Sequence, residues 1–395
     1  MKIIAFVGET YEKFDKTFFA KPTSAAFLQD AIGKSNVYVC SPSYEVQLMP
    51  RNFSTEVDQS HFHSFPSYRS TKDFALKSLF KKGYLKSYQL AADNIISKHS
   101  GSYFWIRTPS IGSIIFGLRA LKAGEKVLHH MCADASNTWK DGKYSAIEKV
   151  FGYLLSRFIR YKLSQICIHK NTINLCTGST LEKFSNQYAP NNTYQFVDLM
   201  IKKPPINTSF NQGNTDVIKL LFIGRVVEDK GIFDLINSMS QLGGSVQLTV
   251  IGDGPDLEAS KMLVDRLGIS SSVFFKGQLP HSELASYLES TTLVVIPSNN
   301  YYEGFPRVIM EAWAYKKPVI VSKVGGVKAF VVHGDNGLIF EQGDSAGLLS
   351  TIELLIHDRV LLSKLQKGAE KMQCLSNQQY WIKRTLDIIG YKNEA

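Results

Sequence analysis

The chain's 395 residues are too many for one ordinary core and predict two domains of roughly 200 residues each. A hydrophobic content of 44% and a charged content of 20% exclude a disordered chain, and no apolar run approaches the ~20 residues that span a bilayer. The net charge of +10 is unevenly placed, +12 over residues 1–203 (27 Lys and Arg, 15 Asp and Glu) and −2 over residues 204–395 (18 and 20), so the two halves are expected to meet different partners.

In chain order, the opening MKIIAFVGETYEKFDK has an apolar run too short for a signal peptide, which points to a cytoplasmic protein. Strands are expected at Lys2–Val7, Val37–Cys40, Ser102–Arg107, Lys126–His130 and Gln165–His169, with helices at Ser24–Ala31, Ile114–Ala123 and Ala146–Tyr161. Gly8 follows the first strand, and Arg107 closes the third. In KVLHHMCAD, Lys126 to Asp134, a strand end should open onto a ligand and bring His129, His130 and Asp134 with it. Two segments are both basic and rich in aromatics, Lys72–Lys86 and Lys149–Lys162. The stretch Lys202–Asn214, rich in Pro, Asn, Gly and Ser, reads as an interdomain linker.

The second half alternates more cleanly. Strands are expected at Leu220–Gly224, Val246–Ile251, Val273–Lys276, Leu293–Pro297, Val319–Ser322 and Gly337–Phe340. Amphipathic helices fall between them at Ile232–Leu242, Leu257–Leu267, Ser282–Glu289 and Pro306–Tyr315. Such βαβ units make a parallel, doubly wound sheet with ligands at the carboxyl ends of its strands. The expected architecture is α/β, two Rossmann-like doubly wound domains facing each other across a cleft.

Three motifs carry chemistry. In EGFPRVIMEA, Glu303 to Ala312, a strand gives way to a helix: Pro306 suits the first helical turn, and Gly304 allows close approach of a ligand. The amides around Phe305–Arg307 are placed to donate to an anion; Glu303 sits just before the helix and Glu311 about five residues into it, ~7.5 Å along its axis, so the two can bind two parts of one polyhydroxylated ligand. On spacing alone, a surface loop with a capping glutamate fits as well. In FIGRVVEDKG, Phe222 to Gly231, Arg225 and Lys230 stand on a loop after a strand ending in Gly224 and can neutralise a diphosphate; solvated loop charges are the plainer reading. VIGDGP, Val250 to Pro255, turns on Gly252 and Gly254, as many strand ends do. Gly325–Val327 and Asn336–Phe340 are similarly short signals.

In this order and at these distances the motifs resemble the retaining glycosyltransferases of family 4, from about Leu220 to Phe340. The resemblance implies the GT-B fold, a nucleotide-sugar donor held by the second domain, and no metal or other cofactor. It implies that Arg225 and Lys230 hold the donor diphosphate, that Glu303 faces the donor sugar and Glu311 the ribose, and that amides near Phe305 and Pro306 support them. It also implies that a last helix, Asn377–Tyr391 with Trp381, returns to the first domain. Domains are therefore expected at 1–203, 204–376 and, for that helix, 377–395. The chain departs from the family twice. Lys328 and Ala329 follow Gly325–Gly326 where an acidic residue is usual, and only Gly8 stands where the first domain often has paired glycines.

No Asp-any-Asp motif occurs, and neither His61–His63, His129–His130 nor the five scattered cysteines (Cys40, Cys132, Cys167, Cys176, Cys374) have metal-site spacing, so no metal is expected. Acceptor contacts are expected from the first domain, with Gly8, Arg107, His129, His130 and Asp134 as candidates. Nucleic acid is not an expected partner, since no reading module is visible. The two basic segments, as helices, suit an anionic membrane surface, and a core-facing stripe with a solvated basic back is the rival reading of each. The expected protein is a hexosyltransferase that passes a sugar from a UDP- or GDP-linked donor to a glycan or lipid-linked acceptor. It would act in bacterial surface polysaccharide or lipopolysaccharide synthesis, on the inner face of the cell membrane. A nucleotide-sugar epimerase of the same fold and a non-catalytic module for anionic lipid or nucleic acid are the alternatives.

Overall fold

The computed structural model describes residues 1–20, 24–51, 53, 55–68, 70–140, 144–202, 217–280 and 283–391. Its chain divides into two units, Met1–Met200 joined by the segment from Trp381 onward, and Ile201–Tyr380. Beyond Lys202 the expected linker lies outside the described residues, as does Ser282, the first residue of an expected helix.

In the first unit the central strands are β1 (Ile3–Phe6), β4 (Val37–Glu45), β6 (Phe62–Phe65), β7 (Tyr103–Thr108), β8 (Lys126–Met131), β9 (Thr172–Cys176) and β10 (Thr193–Gln195). They lie in the order β6-β4-β1-β7-β8-β9-β10, all parallel. Strands β2 (Tyr11–Phe14), β3 (Thr17–Ala20) and β5 (Thr55–Asp58) extend the sheet past the far end of β4, with β2–β3 and β3–β5 antiparallel. All four residues of β1 are at most 2% exposed, as expected of a parallel strand covered on both faces. The helices that cover it are α1 (Ser24–Ile32), α2 (Thr71–Phe80), α3 (Tyr84–Lys98), α4 (Ile111–Lys122), α5 (Ala146–Cys167) and α6 (Ser179–Asn186). Helix α3 buries Tyr84, Tyr88, Ala92, Ile95 and Ile96, a stripe at three- and four-residue spacing.

The expected strand at Gln165–His169 is a correction. Residues through Cys167 continue α5, and the strand is β9, further along. Ile159, Leu163 and Ile166 recur at helical spacing and bury one face, so the 3.6-residue period overrides the short apolar run Ile166–Ile168. Helix α5 begins where a full capping box ties Ser145 to Glu148.

The second unit follows the expected alternation. Its strands are β11 (Ile218–Ile223), β12 (Val246–Ile251), β13 (Val273–Phe275), β14 (Leu293–Ile296), β15 (Val319–Ser322) and β16 (Gly337–Phe340). They form one parallel sheet in the order β13-β12-β11-β14-β15-β16. Its helices are α7 (Ile232–Gln241), α8 (Leu257–Arg266), α9 (Leu284–Ser290), α10 (Val308–Ala314), α11 (Ser345–His357) and α12 (Arg359–Lys371). The order reverses between β11 and β14, which opens a crevice at their carboxyl ends. The last helix, α13 (Gln378–Ile388), is assigned to the first unit from Trp381 on. There the buried Trp381 indole lies edge-on to Phe196, and Tyr103 donates to the Ile389 carbonyl at 3.3 Å.

Candidate functional site

The loops that leave β11 and β14 meet at the crevice of the second sheet. After β11 come Gly224, the exposed Arg225 and a single 3-10 turn, Glu228–Lys230. Lys230 turns its side chain back and donates to Glu303 Oε1 at 2.7 Å, with side-chain exposures of 17% and 13%. At that burial the pair is shielded from solvent screening and fixes both groups. Arg225 Nη2 donates to the Tyr302 hydroxyl at 2.9 Å, and that hydroxyl donates in turn to the Asp229 carboxylate, 3.2 Å from both oxygens. Burial, reinforced by the Asp229 charge, raises the Tyr302 pKa and keeps the phenol protonated for this role.

Asn300 ties the two loops together. It is 1% exposed; its Oδ1 accepts from the Glu303 and Tyr302 amides, while its Nδ2 donates to Glu303 Oε2 and the Asp229 carbonyl. Glu303 is therefore held by a cation on one oxygen and an amide on the other. Arg225, Lys230 and Glu303 come together as the sequence predicts. Asn300, Tyr302 and Asp229 are additions: their neighbours were readable as motifs, but nothing in the linear pattern distinguished these three from loop residues.

Around this centre the glycines act mainly through packing. A Cβ on Gly252 would lie 1.7 Å from the Gly224 carbonyl oxygen, and one on Gly254 2.3 Å from that of Val226. The turn after β12 thus locks onto the loop after β11. Gly325, at φ +45°, leaves only 1.9 Å between a Cβ and the Glu303 carbonyl oxygen, and Gly326 donates its amide to Gly304. The paired-glycine loop therefore backs Glu303 and Gly304, a role its three-residue signal did not disclose. Phe305 is buried edge-on against Phe330 and Pro306 is buried, so only their main chain could serve a ligand. Helix α10 starts at Val308 and has seven residues; Glu311 is half-buried in its first turn. Asn336 is structural: its side chain bonds Val332 and Phe330 in the loop before β16, and its carbonyl accepts from Trp313 of α10.

The first unit treats its candidates differently. Gly8, at φ +77°, follows β1 and packs against Ser110, the residue that precedes α4. Arg107 donates to Glu9 Oε1 at 3.1 Å. These residues meet where β1 and β7 adjoin, the reversal point of the first sheet. His129 and His130 do not join them; each is 0% exposed, which corrects their reading as ligand-facing groups. His129 lies between the Thr108 hydroxyl (2.9 Å) and the Asn174 amide oxygen (3.0 Å), and burial pushes its imidazole pKa down to about 4. His130 bonds the Thr177 hydroxyl and sits against the rings of Trp105 and Phe196. Successive residues of β8 point to opposite faces, and both faces are covered. Asp134 is also turned to local structure, accepting from the Ser136 amide and hydroxyl, with Arg160 3.9 Å away. Among the described residues no three His, Cys, Asp or Glu side chains group as metal ligands, and no helix is long and apolar enough to cross a membrane.

Comparison with known proteins supports the fold and shows what the second half resembles. The crystal structure of Anabaena HepE in complex with UDP superposes with a TM-score of 0.68 at 16% identity, covering 99% of this chain and 100% of that one. Two Rossmann-like domains of this kind are the GT-B fold. The lipopolysaccharide core biosynthesis glycosyltransferase LpsE of Rhizobium meliloti is 32% identical over 158 residues, 40% of this chain and 45% of that protein. The capsular polysaccharide biosynthesis glycosyltransferase CapM of Staphylococcus aureus is 29% identical over 194 residues, 47% of this chain and 48% of its own length. The chain thus spans about half the length of the curated relatives it matches. Residues 206–372, which build the crevice around Glu303, match the model of the glycosyl transferases group 1.

Proposed function

We propose that this protein transfers a sugar, with retention of the anomeric configuration and without a metal ion, from a nucleoside diphosphate sugar to a hydroxyl acceptor. The observation that carries the reading is the joined set Arg225, Lys230, Glu303, Asn300 and Tyr302 at the reversal point of the second sheet. Two cations beside a fastened carboxylate suit a ligand that is a diphosphate at one end and a polyol at the other. The match of residues 206–372 to the glycosyl transferases group 1 and a structural neighbour crystallised with UDP support the same ligand class.

In this reading Lys230 exchanges Glu303 for the diphosphate oxygens, and Arg225, still held by Tyr302, donates its other N–H groups to them. Glu303, still held by Asn300, then accepts from a sugar hydroxyl, and Glu311 accepts from the ribose. The two carboxylates are donor ligands here, so a covalent glycosyl intermediate of the kind retaining glycosidases form has no nucleophile. Front-face displacement follows: the bond from the anomeric carbon to the diphosphate breaks, the acceptor oxygen bonds that carbon, and its proton passes to the departing diphosphate. The cations stabilise the charge that develops there. Gly8 and Arg107, at the first unit's reversal point, are the remaining acceptor-side candidates. A UDP- or GDP-hexose donor, a glycan or lipid-linked acceptor, and surface polysaccharide or lipopolysaccharide synthesis on the cytoplasmic side of a membrane complete the proposal. The named relatives work in such pathways.

A thermal-shift screen of nucleoside diphosphates and nucleotide-sugars, in chelator, tests the donor site on the wild type and on Glu311→Ala. At a hundred times its dissociation constant a ligand adds about 2.7 kcal/mol of stability. Stabilisation by one nucleotide, lost in the variant, is the expected result. If no nucleotide stabilises the folded protein, the transferase reading is wrong; if stabilisation or turnover needs a divalent ion, its metal-free mechanism is.

A further inference from the structure

We propose that α2 and α5 of the first unit form one docking face for an anionic lipid surface. Helix α5 is apolar on two faces, and the core uses only one of them. Ile159, Leu163 and Ile166 are buried, whereas Ile147 (84%), Phe151 (55%), Leu154 (61%) and Phe158 (50%) are exposed. The exposed set recurs at positions i, i+4, i+7 and i+11, a continuous stripe on one side of the helix. A core-facing stripe therefore accounts for half of the helix's apolar pattern and leaves the other half open. Helix α2 ends in the same way, with Leu79 and Phe80 exposed by 78% and 82%. An ion pair, Lys72 Nζ to Glu148 Oε1 at 3.5 Å, brings the first turns of the two helices together. Isolated exposed hydrophobics are ordinary, but a four-residue stripe on α5, with a further exposed pair on the helix whose first turn meets its own, is not.

Charge decides what covers them. Lys81, Lys82 and Lys86 follow Phe80 and are exposed, as is Arg157 within the α5 stripe. Lys162 sets its ammonium 5.6 Å and 5.3 Å from the ring centroids of Phe158 and Tyr161. The acidic residues of both helices are each beside a lysine, Asp73 with Lys77 and Glu148 with Lys72. A second copy of the chain would oppose this face to its own positive charge, since a two-fold contact pairs a patch with itself. A nucleic acid has no use for exposed aliphatic side chains such as Leu79, Ile147 and Leu154. A bilayer with anionic headgroups takes both: Lys and Arg pair with phosphates, while the aromatic and aliphatic side chains enter the headgroup boundary.

Co-sedimentation with vesicles tests the proposal. The purified protein is mixed with phosphatidylcholine vesicles, with and without about one-third phosphatidylglycerol, at two salt concentrations. Phe151→Ser with Leu154→Ser removes part of the apolar stripe, and Lys81→Glu with Lys82→Glu reverses part of the charge; circular dichroism checks that both variants fold. Binding to the anionic vesicles is expected, falling with salt, and weaker by roughly tenfold or more on neutral vesicles and in each double variant. No binding to anionic vesicles, or binding that survives both double variants, overturns the proposal. So does a concentration-dependent dimer, seen by sedimentation velocity, that Phe151→Ser with Leu154→Ser abolishes. None of these substitutions lies in the second unit, so nucleotide-induced thermal shifts stay as in the wild type and failure here leaves the transferase reading standing.

Discussion

The two units arrange their sheets alike, with the strand order reversing beside the first strand of each, at β1–β7 and at β11–β14. They use that point differently. In the second unit it gathers Arg225, Lys230, Glu303, Asn300 and Tyr302 into one linked network. In the first it holds Gly8 and the ion pair of Arg107 with Glu9, while the neighbouring histidines of β8 are sealed inside the sheet. A doubly wound sheet offers one place where loops part, and chemistry collects there only if the loops after the two central strands bring it. Residues one strand further along are covered on both faces, however polar they are.

The sharpest break in this comparison comes from Lys230. Lys230→Ala is expected to lower turnover of the stabilising nucleotide-sugar by roughly 10²–10³-fold with the protein still folded, since one preorganised charge on the leaving group is lost. Unchanged kcat/KM would mean that the second crevice is not where the donor reacts.

His129 tests the other side through stability. Its pKa is pushed from the ordinary histidine value near 6.5 down to about 4 in the folded state, so below pH 6.5 the unfolded chain binds the proton more readily. Stability is therefore full above about pH 6.5 and falls as the pH drops toward 4, by on the order of 3 kcal/mol for a fully buried group. Burial and the neighbouring His99 push His63 down to about 4 as well, so urea unfolding from pH 7 to 4 is compared between the wild type and His129→Gln. A variant with the same pH slope as the wild type would show that His129 is not the buried neutral group described.

Smaller effects sharpen the comparison. Tyr302→Phe removes the hydroxyl that holds Arg225, and a several-fold rise in KM for the donor with kcat nearly unchanged is expected, from about 1 kcal/mol of lost positioning. A fall in kcat of the same size as the Lys230→Ala effect would instead place the phenol among the reacting groups. Arg107→Met loses the pair with Glu9 and should cost about 1 kcal/mol in urea unfolding. If stability is unchanged while KM for the acceptor rises, the first reversal point is an acceptor site and the two units are more alike than their ion pairs suggest.

Much of the second unit was legible because its signals are local. Each apolar run between Ile218 and Phe340 has strand length, each is followed by a turn with glycine or proline, and the carboxylates and cations sit directly after strands. The first unit was less legible for two physical reasons. The antiparallel addition β2–β3–β5 rests on short strands with partial burial, and α5 carries an apolar run near its end that also fits a strand. His129 and His130 illustrate a different limit. Their place near a strand end was read correctly, but whether a side chain there faces a ligand depends on what covers each face of the sheet.

By itself the sequence determined the alternating α/β pattern, the family motifs and the charge imbalance, because periodicity, turn residues and net charge are properties of neighbours along the chain. The tertiary structure alone decided that β11 and β14 adjoin, and so that Lys230 meets Glu303 across 73 positions of sequence. It also decided that Asn300 fastens that pair, that Gly325 packs behind it, and that one apolar face of α5 has no core to enter. Contacts between distant residues follow from strand order and layer packing, which no local pattern encodes.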